Sequence, residues 1–564
     1  MLPICLFLFV VSAHSVYGHP LKNEDLFKIH VAHINDFHAR FEETNELGGR
    51  CADEKCIGGF SRQFEEISSL RNEDPSLILL NGGDNFQGTL WYSVFKWNVT
   101  QYFMNKLKFD VIVLGNHEFD DGIQGITPFM RAINAPVVVS NIDDSLEPDF
   151  QKLYTKSTII ERNGKKIGVI GVTSIDTPNI SSVGKLKFLD ESASVNAEAE
   201  RLVAEDDVFT IIVLSHCGYD ADKAIAKNAT SKVSLIVGAH SHSFLYTGEK
   251  APGPDKVVGP YPTIVSRKDG KKVLITQAAA FCKYIGNISV SYKLNGEVAD
   301  WEGAPIFLDT TSPKSEYIEK EMQSWKEEID QIGTKVLGTS LVDLDGNTCY
   351  TKECTLGNML TDAFVYNYIE KAEEGAWTSA SIAIINAGGV RTSISRGNIT
   401  YSDILTTIPF SDTVDISDIE GRFIRELFEA VVTLECRDGK LYTNTRLLQV
   451  SGIKYTVNLN KPDGSKIQDI KIRCRKCKVP EYEDLDDNKV YRIITQSFLT
   501  HGGDNLDVLP KNLKNTTVGP LDVDVLTKYL SNNSPVYEEE DRITIIGSNR
   551  NPLKQIRCQA NKVK

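Results

Sequence analysis

The chain has 564 residues, 41% of them apolar, enough to bury two substantial cores, so two domains fit better than one. The formal net charge is −14 with no long basic run, which argues against nucleic acid or any other polyanion as partner.

Residues 1–18 read as a secretory signal: Leu2 to Ala13 is apolar, Val16 and Gly18 are small enough to precede cleavage before His19, and the segment is too short to span a bilayer. Its only positive charge is the amino terminus. Five short apolar runs follow, Phe27 to Ile34, Ser76 to Leu80, Val111 to Leu114, Phe209 to Leu214 and Leu235 to Val237, each expected to be a buried strand. Between them strand-like and helical patterns alternate, as in Ile167 to Val172 and Ala193 to Ala204, which predicts an α/β fold with sheets sandwiched by helices. Ser315 to Ile332 is charged, lacks Gly and Pro, and is apolar at Tyr317, Met322, Trp325 and Ile329, which predicts a connecting helix. Beyond it, a helix is expected over Thr355 to Ala372 and strands over Ile382 to Asn386 and Arg492 to Thr495. The expected division is a first domain over 25–312, a linker over 313–335, a second domain over 336–548 and a polar tail over 549–564.

Each of the five runs ends in residues of metal-ligand type: Asp36 with His38, Asp84, Asn116 with His117, His216, and His240 with His242. A lone Asp or His at a strand end is commonly a cap, but five of the chain's ten histidines fall in these patches, and Gly115 and Gly238 adjoin them. The carboxyl ends of strands are where open α/β sheets present ligands. The set reads as a two-metal hydrolytic site, with Asp84 bridging two divalent ions, Asp36, His38 and His242 completing one shell, and Asn116, His216 and His240 the other. Zinc, manganese, magnesium and calcium all stay open. An acidic chain that takes an anionic substrate must gather positive charge locally, and Arg40 and Arg391 would add to that of the ions.

Cysteine usage agrees with export. Removal of Cys5 with the signal leaves an even ten, and Cys51 with Cys56, Cys349 with Cys354 and Cys474 with Cys477 are expected to form local disulfides. The remaining four are paired as Cys217 with Cys282 and Cys436 with Cys558. Sequons begin at Asn98, Asn179, Asn228, Asn287, Asn398, Asn515 and Asn532.

Asn35-Asp36-Phe37-His38, Gly82-Gly83-Asp84-Asn85, Gly115-Asn116-His117-Glu118-Phe119-Asp120, Ser215-His216 and Gly238-Ala239-His240-Ser241-His242 resemble the motif series of the 5'-nucleotidase family of metallophosphoesterases. Asn386-Ala387-Gly388-Gly389-Val390-Arg391 and Phe498-Leu499-Thr500-His501-Gly502-Gly503-Asp504 resemble that family's nucleotide-binding segments. The resemblance implies a four-layer metallophosphoesterase domain, a linker helix and a mixed α/β nucleotide-binding domain, with the active site between them and domain rotation as a gate. By the same resemblance His117 stabilises charge on the transferring phosphoryl group or protonates the leaving oxygen, and Asp120 orients its imidazole. Asn386 and Arg391 would contact phosphate or base, Phe498 would stack on adenine, and Asp504 would accept from the ribose.

Many animal members of the family are held by a glycolipid anchor, but the stretch from Ile543 to Lys564 is polar and basic, so a freely secreted protein without a membrane anchor is expected. Two positions depart from the AMP-specific pattern: Tyr350 replaces an Arg after the first cysteine of the Cys349 to Cys354 loop, and in the segment Ile408 to Asp415, where a second base-stacking aromatic is expected, the matching residue is Val414. A secreted member lacking both features resembles the salivary apyrases of blood-feeding arthropods, which implies hydrolysis of ATP and ADP to AMP and inhibition of platelet aggregation. The alternatives are a soluble AMP-cleaving 5'-nucleotidase and an inactive receptor-binding antagonist. Oligomeric state is left open by the sequence.

Overall fold

The computed structural model describes residues 26–547, apart from 47, 52–54, 231, 411, 438–439, 478 and 538–540. The expected signal, the polar tail and the Cys436–Cys558 pairing lie outside the described residues.

Two sheets face each other in the first half of the chain. In one, the strands Phe27–Ile34, Ile78–Asn81, Val111–Val113 and Val137–Val138 run parallel, with Tyr284–Tyr292 antiparallel beside the first. In the other, Lys165–Thr173, Thr210–His216, Val233–Val237 and Lys272–Thr276 run parallel between two antiparallel edge strands. Ile78–Asn81, Thr210–His216 and Val233–Val237 are buried along their whole length, as their content of Val, Ile and Leu favours. Helices Phe60–Glu73, Leu90–Leu107, Glu191–Glu205 and Tyr219–Asn228 cover the sandwich through stripes such as Val195, Ala199 and Leu202.

The linker is the helix Glu316–Gly333, one residue shifted from expectation. Its buried stripe is Ile318, Met322 and Ile329, with Trp325 against Phe95, Tyr102 and Phe103. Tyr317, expected in that stripe, is 52% exposed, because helical spacing back from Met322 and Trp325 falls on Ile318. The Tyr317 hydroxyl instead accepts from Lys106 Nζ at 2.7 Å.

The second half holds a five-stranded sheet, in which Ile382–Asn386 and Val490–Gln496 are parallel, and a four-stranded sheet built around Ile453–Asn458. The helix Thr355–Asn367 stops five residues short of the expected end, where Tyr368 leaves helical geometry (φ −102°) and its hydroxyl donates to Val414 O. The three local disulfides form as expected. The expected Cys217–Cys282 bond does not: both thiols are buried and free. Cys217 packs in the cluster behind the second sheet, whereas Cys282 belongs to the large core around the first, so the fold separates them.

Candidate active site

Within each sheet the parallel strands deliver their carboxyl ends to one edge, and the two edges meet. Asp36, His38, Asp84, Asn116 and His117 arrive from the first sheet, His216, His240 and His242 from the second. Three overlapping sets result: Asp36, His38 and His242; His38, Asp84 and His117; Asp84, His216 and His240, with the ligating atoms of each set within 4.8 Å of one another. Asp84 Oδ2 lies 3.2 Å from His216 Nε2 and 3.7 Å from His38 Nε2. His242 Nε2 lies 3.4 Å from Asp36 Oδ1 and 3.0 Å from His38 Nε2, and Asn116 Oδ1 is 2.9 Å from His240 Nδ1.

These residues fit divalent cations. His216 donates Nδ1–H to Gly82 O at 2.6 Å, which fixes the tautomer and leaves the Nε2 lone pair facing the Asp84 carboxylate in a dry interior without a hydrogen bond. Two acceptors face each other there, an arrangement that a proton or a cation must reconcile. Burial drives His38 well below the usual imidazole range and His240 down to about 4, as ligands require, while against the cost of burial the Asp84 charge lifts His216 to about 10.

The backbone is strained where the candidate ligands sit. Asp36 (φ 51°), His38 (49°), Asp84 (52°), His240 (73°) and His242 (50°) all occupy the left-handed region, at about 1–3 kcal/mol each. Such geometry persists because the surrounding core fixes it. Gly83 (φ 85°) packs so tightly that an added Cβ would lie 2.5 Å from Gly115 N, and one on Gly115 would strike the Asp84 carboxylate and lie 2.7 Å from His216 Cε1. Fully buried Glu118 ties the same two loops together: its carboxylate accepts from the N–H groups of Asp84 (3.0 Å), Asn85 (2.6 Å) and Gly115 (2.6 Å).

His117 stands beside this cluster. Its Nδ1 is 2.7 Å from Asp120 Oδ2, and the Ser181 hydroxyl lies 2.6 Å from Asp120 Oδ1. Burial works against its protonation, but the charges of Asp120 and Asp84 prevail and raise its pKa. Its backbone N–H donates to Asp84 Oδ1 at 2.9 Å.

The second half of the chain closes over this centre. Arg391 Nη2 comes within 3.5 Å of His117 Nε2, and Arg50 Nε pairs with Asp403 Oδ1 at 3.1 Å. Asn386 Nδ2 donates to Asp504 Oδ2 at 2.7 Å, while its buried Oδ1 has no partner. Tyr350 is near both, since a Cβ on Gly388 would lie 3.3 Å from its hydroxyl and 3.6 Å from Asp504 Oδ2. Half-buried Phe498 packs on Gly503. Val414 is fully buried and presents no wall to the cleft. Arg40 is set apart: its guanidinium is spent on the carbonyls of His38, Gly88 and Gly48, and only Nη2 is unpaired.

Residues 29–244 match the model of the calcineurin-like phosphoesterases, and residues 334–511 that of the 5'-nucleotidase C-terminal domain. The chain is 45% identical to an apyrase of Tabanus yao, over 97% of this chain and 100% of that protein. It is 41% identical to a 5'-nucleotidase-related protein of Glossina morsitans morsitans, over 96% and 98%. The crystal structure of a 5'-nucleotidase precursor from Thermus thermophilus superposes with a TM-score of 0.83 at 29% identity, covering 93% of this chain and 100% of that one. The chain belongs to the 5'-nucleotidase family. It is a nucleotide phosphohydrolase on a metallophosphoesterase fold.

Three residues of this 5'-nucleotidase site were not singled out from sequence. Glu118 stands inside a quoted motif, yet only the fold reveals that it accepts from both loops. Ser181 reaches Asp120 across 61 positions, and Phe410 meets His117 from the other half of the chain. Ser181 carries no local signal, whereas Phe410 lies in the segment Ile408 to Asp415 where an aromatic is expected.

Proposed function

We propose that the chain is a secreted apyrase that hydrolyses extracellular ATP and ADP to AMP and phosphate with two divalent ions, and so removes nucleotides that promote platelet aggregation. The reading rests most on the approach of Arg391 to His117 beside the Asp84-centred clusters, because it sets a phosphate-binding fork against a metal-ligand centre. Asp36, His38, Asp84 and His242 would hold one ion, and Asp84, Asn116, His216 and His240 the other. When bound, the ions supply Lewis acidity and a water of lowered pKa.

The remaining steps belong to side chains. Asp120 accepts from His117 Nδ1, so Nε2 is the atom that faces the phosphoryl group, to stabilise its charge or protonate the leaving oxygen. Arg391 places guanidinium donors on the same phosphoryl oxygens. Arg40 adds buried positive charge beneath the site, with Nη2 as its free donor. In the second half Phe498 stacks on the base, and Asn386 and Asp504 take its polar edge and the ribose. Preference for ATP and ADP is supported by Tyr350 in place of a phosphate-binding Arg, by the burial of Val414 where a second aromatic would stack, and by the 45% identity to a protein named apyrase. Export is supported by the three disulfides.

Phosphate release from ATP, ADP and AMP, each with and without chelator, tests the proposal. ATP and ADP turned over with AMP left intact, and all activity abolished by chelation, is the expected result. AMP as the fastest substrate would overturn the apyrase reading in favour of an AMP-cleaving enzyme.

A further inference from the structure

The connection from the strand Lys272–Thr276 of the second sheet to Tyr284–Tyr292 of the first runs beside the cluster of Asp36, His38 and His242. Its backbone is pinned there: Phe281 N donates to Asp36 O at 2.8 Å, Ala279 N to Ser243 O at 3.1 Å, and Asn35 Nδ2 to Ala279 O at 2.6 Å. Ala279 (φ 53°), Phe281 (64°) and Cys282 (59°) occupy the left-handed region, which persists only where the surroundings fix it. The half-buried Phe281 ring is thereby set against two candidate ligands, His38 with centroids 5.6 Å apart and planes at 55°, and His242 at 5.2 Å and 74°. The Arg40 guanidinium lies 4.6 Å from its centroid, and a Cβ on Gly48 would come within 2.7 Å of the ring. The two histidine pairs are held differently. His216 and His240 are each anchored through Nδ1, by Gly82 O at 2.6 Å and Asn116 Oδ1 at 2.9 Å. Among the described residues His38 and His242 make polar contacts only through Nε2, with each other, Asp84 and Asp36. A metal-bound imidazole ordinarily takes its orientation from a hydrogen bond at the nitrogen that does not bind the ion. For His38 and His242 the ring contacts with Phe281 stand in that place.

We propose that Phe281 is a positioning residue for one of the two metal sites: its ring sets the imidazole planes of His38 and His242, and it does not act on the site formed with His216 and His240. The inference rests on the two-ion reading above. A ring suits the task because tilted and edge-on aromatic pairs are favourable and directional at once, and the guanidinium over its face holds the ring itself. Loss of the ring leaves both imidazoles free to turn about their Cβ–Cγ bonds, so affinity for one ion falls while the other is kept.

The test uses the full chain, stripped with chelator and dialysed against rising manganese(II) alone, with bound ions counted by metal analysis and thermal melting of the metal-free protein as the check on folding. Wild type is expected to take up two ions. Phe281→Leu keeps apolar bulk; it should weaken one binding step about 10–100-fold, leave the other within about threefold, and melt with wild type in the absence of metal. Phe281→Tyr, which keeps the ring, should stay within about threefold of wild type at both steps. His242→Ala removes a candidate ligand of the same site, and adding Phe281→Leu to it should cost less than Phe281→Leu does alone. A Phe281→Leu protein that binds both ions like wild type, or that weakens both steps equally, would overturn the proposal. So would a selective loss that persists in full in the His242→Ala background, or one matched by a lower melting temperature without metal, since the ring would then only fill space. A wild-type chain that takes up fewer than two ions would instead overturn the two-ion reading, and this proposal with it.

Discussion

Glu118→Gln preserves the shape of a fully buried side chain and changes only its hydrogen bonding. In the native protein one carboxylate oxygen accepts from Asp84 N (3.0 Å) and Gly115 N (2.6 Å), the other from Asn85 N (2.6 Å) and Asn85 Nδ2 (3.3 Å). Burial and the negative Asp84 push this carboxyl upward, but all four neighbours are donors, so the arrangement requires the acceptor-only carboxylate. Glutamine must present an NH2 to one of these donor pairs, whichever way the amide is turned. Each buried group left unpaired costs about 1–3 kcal/mol, so two give about 2–6 kcal/mol. One of the disturbed loops carries Asp84, so metal affinity should fall about 10–100-fold, the usual consequence of losing a group that orients a ligand. Competition with a chromogenic chelator reads the affinity, and thermal melting with and without metal reads the stability. A Glu118→Gln protein that melts with wild type and keeps its metal at the same chelator concentration would refute the reasoning.

Asp120→Asn should reduce kcat about a hundredfold, the scale of an acid or base contribution, because it no longer favours the proton on His117 Nδ1. Ser181→Ala removes one hydrogen bond to Asp120, about 0.5–1.5 kcal/mol, and should lower kcat about 3–10-fold. Tyr350→Arg, at a side chain 43% exposed and so free of packing cost, should raise kcat/KM for AMP relative to ADP by about tenfold or more, the value of one charge-assisted hydrogen bond; an unchanged ratio would remove Tyr350 from specificity. Asp522 is buried and pushed up to about 7 by desolvation and then by Asp412. The native state therefore keeps a proton that the unfolded chain loses near pH 4, so this group makes stability fall as pH rises from about 4 to 7 and has no further effect above. Asp522→Asn should flatten that slope in urea melts followed across this range, and an identical slope would show that Asp522 ionises normally.

The five patches of metal-ligand type were legible in the sequence because each follows a short, largely apolar run, as a buried parallel strand favours. The segments that carry Asn386, Arg391, Phe498 and Asp504 resemble the family's motifs for the same local reason: short segments around glycine carry their own signature. The linker helix was legible too, but its inward stripe was off by one at Tyr317, because a large amphipathic side chain can lie on the rim of a buried face as readily as within it.

What the sequence determined by itself is chemistry type and local geometry: which side chains can ligate or donate, and which segments are strands. Tertiary structure alone decided how those pieces combine. It put His216 opposite Asp84, forced five candidate ligand residues into left-handed backbone, kept Cys217 and Cys282 apart, and laid Phe410 and Arg391 against His117. The physical reason is that these contacts join residues far apart in the chain, where no periodicity or spacing constrains the partner, and only the packing of two sheets and the closure of the second half over them selects it.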